Sequence, residues 1–148
     1  MADEPRTVVT FRSANFNTTE TRSNYTNPYN YGDDVAEWLR DQLKIAGVTV
    51  DPKIGQEDFG WYLGFEVGNQ AYQFIIGYSA DEYWMGWLER KAGFLDSMLG
   101  ARNRGIGVAA VNAIHSALLS SDKIYDIRWH YQKDFDDLKE ETGSASPV

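Results

Sequence analysis

The chain has 148 residues, of which 43% are hydrophobic and 24% are charged, a composition typical of one globular domain. It contains no cysteine, which excludes disulfide bonds, thiol nucleophiles and thiolate metal sites. Its formal net charge of −8 at pH 7 disfavours nucleic-acid binding. The charge favours a basic partner over an acidic one, although most acidic proteins are simply well solvated.

The N-terminal sequence MADEPRTVV has neither the basic start nor the apolar centre of a secretory signal peptide. No apolar run in the chain approaches the ~20 residues that are needed to cross a bilayer. We therefore expect a cytoplasmic protein that makes no membrane contact.

The first predicted elements are a short strand over residues 7–12 and a long segment, residues 13–32, without a helical or strand period. A segment of this length is unusual in a compact domain and is often a functional or mobile loop. The sequence YTNPYNYGDD around its end mixes tyrosine, asparagine and aspartate, which is typical of adaptable recognition surfaces.

The first predicted helix begins near Asp34 and ends at Gly47. Asp34 is the expected N-cap, with Glu37 three residues on as in a capping box. Apolar side chains at helical spacing predict one buried face, formed by Val35, Leu39, Leu43 and Ala46 and widened by Trp38 and Ile45. Residues 48–50 then begin a short extended segment, which Pro52 ends.

Residues 56–90 predict an antiparallel meander of three strands. Gly68-Asn69 is a two-residue hairpin signal between the first two strands. In this register Trp61 lies opposite Ile76.

A second turn is predicted at Ala80-Asp81, which places Tyr78 opposite Tyr83. One face of the meander is then almost entirely apolar, and we expect the helices to cover it. That face comprises Phe59, Trp61, Leu63, Phe65, Val67, Tyr72, Phe74, Ile76, Tyr78, Met85 and Trp87.

The opposite face carries the strand glycines, with Gly60 predicted opposite Gly77. Glycine in a strand permits a sharp bend or the close approach of another group, so two interpretations stay open. Glycines in a strand more often serve curvature of the sheet alone than ligand binding. If the face is open, it forms a shallow trough walled in part by Leu88, and its candidate ligand-binding residues are Tyr62, Trp84, Gln73, Asp58 and Glu66.

The C-terminal part is predicted to hold a short helix within residues 92–100, a longer helix over about residues 103–121 and a last strand over residues 123–131. The buried face of the longer helix is predicted to contain Gly107, Val111, Ile114 and Leu118. We expect one domain over residues 1–131 and a charged C-terminal tail, residues 132–148, whose start is compatible with one or two helical turns and whose end is disordered.

The sequence GARNRGIG places Arg102 and Arg104 near the start of the longer helix, where they are candidate anion-binding residues. It lacks the Gly-Lys followed by Ser or Thr of a phosphate-binding loop, and a solvated connector explains the same residues. His115 and His130 do not have the spacing of a metal site, and no G-x-S-x-G sequence occurs. We therefore predict no metal and no cofactor.

The sequence GDDVAEWLRDQLKIAGVTV, followed by EDFGWYLGFEV and by IRWHY near the end, resembles a group of small, uncharacterised bacterial proteins. These proteins share a GxxxAxWLxxxLxxxGxxV helix followed by an EDxGW strand. The resemblance covers residues 31–90 and 124–131 and implies a single bacterial cytoplasmic domain. No activity is established for the group, so the resemblance implies no catalytic residue.

Together these elements predict a two-layer α+β domain in the order β-α-β-β-β-β-α-β, with helices packed on one face of a curved antiparallel sheet. This order is compatible, by analogy, with TATA-binding-protein-like and helix-grip folds. The leading functional hypothesis is a non-enzymatic recognition module for a protein partner, for example an immunity-type protein that neutralises a basic toxin. The alternative is a small-molecule or anion-binding domain, with or without enzymatic activity, that uses the glycine-bearing face.

Overall fold

The computed structural model describes residues 4–91, 105–138 and 142–148. Its strands are β1 (Val8–Arg12), β2 (Thr49–Val50), β3 (Gly55–Glu57), β4 (Gly60–Val67), β5 (Gln70–Ala80), β6 (Tyr83–Arg90) and β7 (Tyr125–His130). Its helices are α1 (Asp33–Ile45), α2 (Val108–Leu119) and α3 (Gln132–Asp136).

The seven strands form one open antiparallel sheet in the order β2-β4-β5-β6-β1-β7, with β3 also paired to β4. This confirms the predicted α+β class. β3 is an additional strand that the sequence did not predict. The short helix predicted within residues 92–100 lies outside the described residues, and the longer helix begins at Val108 rather than near residue 103.

Helices α1 and α2 pack together on one face of the sheet, which we call the inner face. Each helix buries a stripe of small and aliphatic side chains at helical spacing. The stripes are Val35, Ala36, Leu39 and Leu43 on α1, and Ala110, Val111, Ile114, Ala117 and Leu118 on α2. The strands supply the other half of the core, including Val9, Phe11, Leu63, Phe65, Phe74 and Ile76.

The C-terminal end of α1 agrees with the prediction, and its N-terminal end does not. Gly47 ends the helix as expected, with a φ of 87° that favours glycine, and its N–H donates to the carbonyl of Lys44 at 3.0 Å. The N-cap is Gly32, not Asp34. The N-cap therefore lies two residues earlier than predicted, and Gly32 has a φ of 128°, a conformation that favours glycine.

Residues 13–32 form a loop whose aromatic side chains pack on the inner face. The ring of Phe16 lies 6.1 Å from that of Trp84, and the ring of Tyr25 lies 5.9 Å from that of Trp61. The indole N–H of Trp61 also donates to the carbonyl of Asn30 at 2.8 Å. This loop therefore forms part of the core, which accounts for a long irregular segment in a compact domain.

The first hairpin has the predicted register. Trp61 lies opposite Ile76, and Val67 lies opposite Gln70 at the Gly68-Asn69 turn. Gly68 and Asn69 adopt φ values of 59° and 66°, which fits the two-residue turn that the sequence indicated.

The second hairpin differs from the prediction. Its turn is Asp81-Glu82, whose φ values are 53° and 67°, and a bulge between Tyr78 and Ala80 precedes the turn. Tyr78 consequently lies opposite Trp84 rather than Tyr83. The predicted register of β6 is therefore wrong by one residue, and such a shift moves every side chain of a strand to the other face.

This shift exchanges the two faces of β6. Trp84 and Leu88 are buried on the inner face, at 0% and 1% exposure. Met85 and Trp87 are half-buried on the opposite face, which we call the outer face. Phe59, also predicted in the core, is 58% exposed in the turn between β3 and β4.

The C-terminal residues lie against the sheet. Ser144 and the edge strand β7 exchange two backbone hydrogen bonds, because Trp129 N–H donates to Ser144 at 2.6 Å and Ser144 N–H donates to Trp129 at 2.8 Å. The carbonyl of Pro147 accepts a hydrogen bond from the N–H of Arg6 at 2.8 Å. The expected disordered end is therefore wrong for these residues. The helical start of the tail is confirmed by α3, which lies on the outer face with Phe135 against His130.

None of the helices within residues 4–91, 105–138 and 142–148 is both long enough and apolar enough to span a bilayer.

Candidate functional site

The outer face is closed where Gly60 and Gly77 meet. A Cβ atom on Gly77 would lie 2.6 Å from the carbonyl oxygen of Phe59, and one on Gly60 would clash with the carbonyl oxygen of Ile76. Both glycines thus permit close backbone approach where the β3–β4 turn crosses β5. Both glycines are therefore explained by close backbone packing, and they do not line an open trough.

Side chains fill the space above the other two glycines of this region. The ammonium of Lys91 lies 2.9 Å from the carboxylate of Asp51, and this ion pair lies above Gly64. The ring of Tyr62 lies against Gly55 on the neighbouring strand. The predicted shallow trough is therefore filled along these positions.

The five candidate ligand-binding residues do not form one site. Trp84 lies in the core, and its indole N–H donates to the carbonyl of Ser13 at 3.2 Å. Asp58 is exposed in the β3–β4 turn, and Glu66 is exposed on β4. The structure does place three of the five, Tyr62, Glu66 and Gln73, on the outer face in adjacent strands. The candidate anion-binding residues Arg102 and Arg104 lie outside the described residues.

A pocket on the outer face lies between the sheet and α3. It has a volume of about 330 Å³. The sheet and α3 line it with apolar side chains and two carboxylates: Val8, Met85, Trp87, Glu89, Gln132, Phe135 and Asp136. We call it the aromatic pocket.

Two contacts fix the indole of Trp87 in this pocket. Its N–H donates to Glu89 Oε1 at 3.2 Å, and its ring stacks on Phe59 with centroids 5.5 Å apart. The other carboxylate oxygen of Glu89 accepts a hydrogen bond from Gln73 Nε2 at 3.1 Å. Gln73 thus supports the pocket through Glu89.

Phe135 is fixed by the sheet beneath it. Its ring packs edge-on against the imidazole of His130, with centroids 5.5 Å apart. His130 is 2% exposed and shares a hydrogen bond of 2.9 Å with the hydroxyl of Thr10. This buried pair lies between the sheet and Phe135 of α3.

An acidic hollow of about 610 Å³ adjoins the aromatic pocket. The two concavities share Gln132 and Asp136. Four carboxylates line the hollow, from Glu4, Asp134, Asp136 and Asp137, and Lys133 is the single basic residue among its described lining residues. The region around α3 therefore combines an aromatic cavity with a strongly negative border.

A third concavity, of about 560 Å³, lies between α1 and α2. Small and uncharged residues line it, including Ala109, Asn112 and Ala113, and Ile45 at its border is 79% exposed. It offers apolar area, and none of its described lining residues carries a charge that would orient a ligand.

A polar cluster joins the loop of residues 13–32 to the start of α1. Asp33 is 5% exposed and accepts hydrogen bonds from Arg22 at 2.6 Å and from the hydroxyl of Tyr25 at 2.9 Å. Burial and the hydrogen bond to Asp33 raise the pKa of Tyr25 to about 12. The backbone N–H of Asn17 donates to Asp34 at 2.8 Å, and burial raises the pKa of the Asp34 carboxyl above its ordinary value of 3.8. The cluster ties the loop to the helix.

We expect the two aspartates of this cluster to have different effects on stability. Asp33→Asn should lower the free energy of unfolding at pH 7 by about 1–3 kcal/mol, because it removes a buried carboxylate from its arginine partner. Asp34→Asn should leave that free energy within about 0.5 kcal/mol of the parent value or raise it. Urea unfolding of both variants measures the difference.

The raised pKa of Asp34 explains why Asp34→Asn should not lower the free energy of unfolding. The pKa of Asp34 is higher in the folded chain than its ordinary value of 3.8 in the unfolded chain. As the pH rises from 3.8 through the raised pKa, the unfolded chain releases this proton before the folded chain does, so the free energy of unfolding falls over that range. Asp34→Asn should remove this loss. If Asp34→Asn lowered the free energy of unfolding at neutral pH more than Asp33→Asn does, these different roles of the two aspartates would be contradicted.

Neither histidine lies in a group that suits a metal ion. Among the residues that the structure describes, no three His, Asp or Glu side chains are placed to hold one. His115 Nδ1 instead accepts a hydrogen bond from the indole N–H of Trp129 at 3.0 Å, and burial lowers the pKa of His115. This geometry gives His115 a packing role.

Sequence reasoning missed the aromatic pocket for two reasons. The register error assigned Met85 and Trp87 to the core, and the predicted domain ended at residue 131, before the tail that carries Phe135. Phe135 is flanked by aspartates and lysine in the sequence QKDFDDLK, and that isolated apolar residue is the signal that could have indicated contact with the sheet.

Comparisons with protein-family models, with curated proteins and with solved structures find no significant match to this chain.

Proposed function

We propose that the chain is a non-enzymatic recognition module that binds a basic protein partner through the outer face around α3. The acidic hollow carries this proposal, because four carboxylates and one lysine line it beside an aromatic cavity. The net charge of −8 adds long-range attraction for a basic partner. An immunity-type protein that neutralises a basic toxin is one form of such a module.

The layout of this surface supports the proposal. Protein interfaces commonly combine a central aromatic anchor with a polar and charged rim. Here Trp87 and Phe135 lie in the aromatic pocket, and the carboxylates of Asp134 and Asp137 lie in the adjoining hollow. The charged rim would accelerate association, and the aromatic centre would slow dissociation.

We expect neutralisation of the hollow to weaken binding of a basic peptide. A variant with Glu4→Gln, Asp134→Asn and Asp137→Asn, which leaves Asp136 of the aromatic pocket unchanged, should bind a fluorescent octalysine peptide about tenfold or more weakly, since each lost rim charge removes roughly 0.5–1 kcal/mol. Fluorescence anisotropy at low and at moderate salt measures the affinities. The difference should shrink as salt screens the rim charges.

The matched control changes the same number of charges elsewhere on the surface. Glu37→Gln, Asp41→Asn and Asp122→Asn alter exposed acids on α1 and in the turn before β7. This control should bind octalysine within about twofold of the parent chain, because screening limits the reach of distant charges. Equal losses in the two triple variants would contradict a localised site and indicate attraction by net charge alone.

The alternative function is small-molecule binding on the outer face. The position of Trp84 in the core weakens the version that used the glycine trough, and the aromatic pocket becomes the place for such a ligand. A neutral aromatic compound that binds at Trp87 without displacing octalysine would favour this alternative.

A further inference from the structure

We propose that the aromatic pocket receives one long cationic side chain of the partner, a lysine or an arginine, whose apolar stem lies along Trp87 and Phe135. This inference rests on the proposed function, since it names the chemical group that the outer face recognises. It also makes the pocket, rather than the acidic hollow, the source of specificity.

The lining of the pocket fits an apolar stem. The sheet supplies Val8, Met85 and Trp87, and α3 supplies Phe135. Val8 is 2% exposed, and the other three side chains are half-buried, so the cavity is already formed. Its volume of about 330 Å³ is near the lower end of the range for small-molecule pockets, roughly 300–1,000 Å³, which suits a single side chain.

The charges at the pocket fit a cationic head. Glu89 and Asp136 contribute carboxylates, and none of the described residues that line the pocket is basic. Asp136 Oδ1 accepts a hydrogen bond from Gln132 at 2.9 Å, which orients this carboxylate. An ammonium or guanidinium beside an indole ring and a carboxylate gains from both cation–π attraction and a charge-assisted hydrogen bond.

The pocket is organised before any ligand enters. Glu89 holds the indole of Trp87 through its N–H, and Phe59 stacks on the same ring. His130 holds Phe135 from below. Because these rings are already placed, little conformational entropy is lost when a side chain is inserted.

The methionines of the chain provide a direct test. There are three, Met1, Met85 and Met98, and of these Met85 lines the pocket. With ¹³C-methyl methionine labelling, the Met85 signal should move on titration with capped Gly-Lys-Gly or Gly-Arg-Gly. It should not move with capped Gly-norleucine-Gly, which has the apolar stem without the charge.

Two variants test the aromatic walls. Trp87→Leu should raise the half-saturating concentration of the cationic peptide by about two- to thirtyfold, the range expected from loss of a cation–π contact. Phe135→Leu, on the short surface helix α3, should weaken binding in the same direction and keeps the test open if Trp87→Leu does not fold. Trp38→Leu is the control: this half-buried residue of α1 lies on the inner side, and its loss should leave the affinity unchanged.

The outcomes separate this inference from the proposed function. An equal Met85 shift with the norleucine peptide would overturn the assignment of a cationic ligand. If octalysine binding depends on the acidic hollow and Met85 does not respond, the inference fails and the proposed function stands. If the Met85 signal moves with the short cationic peptides and the hollow variant binds octalysine as tightly as the parent chain, the pocket for a cationic side chain is supported. The proposed binding of a basic protein through the acidic hollow is then contradicted.

Discussion

Gly60→Ala is expected to lower the free energy of unfolding by about 3 kcal/mol or more. Its added methyl group would occupy the position of the Ile76 carbonyl oxygen, and a backbone atom in a paired strand cannot move aside cheaply. Gly77→Ala should have an effect of similar size, because its methyl group would lie 2.6 Å from the carbonyl oxygen of Phe59. Urea unfolding measures both losses.

Gly64→Ala provides the matched control on the same face of the same strand. Its methyl group would meet the side chains of Asp51 and Lys91, an exposed ion pair that can rotate away. The change should therefore cost no more than about 1 kcal/mol. If Gly64→Ala were as damaging as Gly60→Ala, close backbone approach would not be the reason for the glycines of this sheet.

Trp84→Ala is expected to lower the free energy of unfolding by about 3–5 kcal/mol. Trp84 is fully buried, its ring lies 4.9 Å from that of Tyr78, and its N–H donates to the carbonyl of Ser13. The substitution leaves a large cavity and removes a buried hydrogen bond. A domain of this size has a total stability of about 5–15 kcal/mol, so the variant should be close to unfolding.

Trp87→Ala is the control for Trp84→Ala, three residues along the same strand. Trp87 is half-buried on the outer face, so its loss should cost only about 1–2 kcal/mol. The register predicted from the sequence gives the opposite order, because it places Trp87 in the core and Trp84 outside. Thermal or urea unfolding of the pair therefore tests the register of β6 directly, and a greater loss in Trp87→Ala would contradict the structure.

The two hairpins explain how much of the fold the sequence could predict. The Gly68-Asn69 turn defines the register of β4 and β5, since both residues favour the left-handed conformation that a two-residue turn needs. The second turn uses Asp81 and Glu82 in the same conformation, and a glutamate there is not a recognisable turn signal. The bulge between Tyr78 and Ala80 leaves no pattern in the sequence either.

The candidate site was less predictable than the fold, because it depends on contacts between distant parts of the chain. Trp87 and Phe135 meet only after β6 has the correct register and α3 has docked on the outer face. Apolar periodicity predicts most of the buried residues of α1 and α2, since these stripes recur every turn. It is wrong at the helix ends, where Ile45 and Ala46 are exposed and Gly107 is half-buried. It gives no information about a lone phenylalanine in an acidic segment.

The central claim is that a basic partner binds the outer face around α3, and amide chemical-shift mapping with octalysine tests it most directly. Residues that line the acidic hollow and the aromatic pocket, Thr7, Trp87, Lys133 and Phe135 among them, should show the largest shifts at low salt. Shifts that are instead concentrated on the loop of residues 13–32, or in the groove between α1 and α2 around Asn112, would contradict the account.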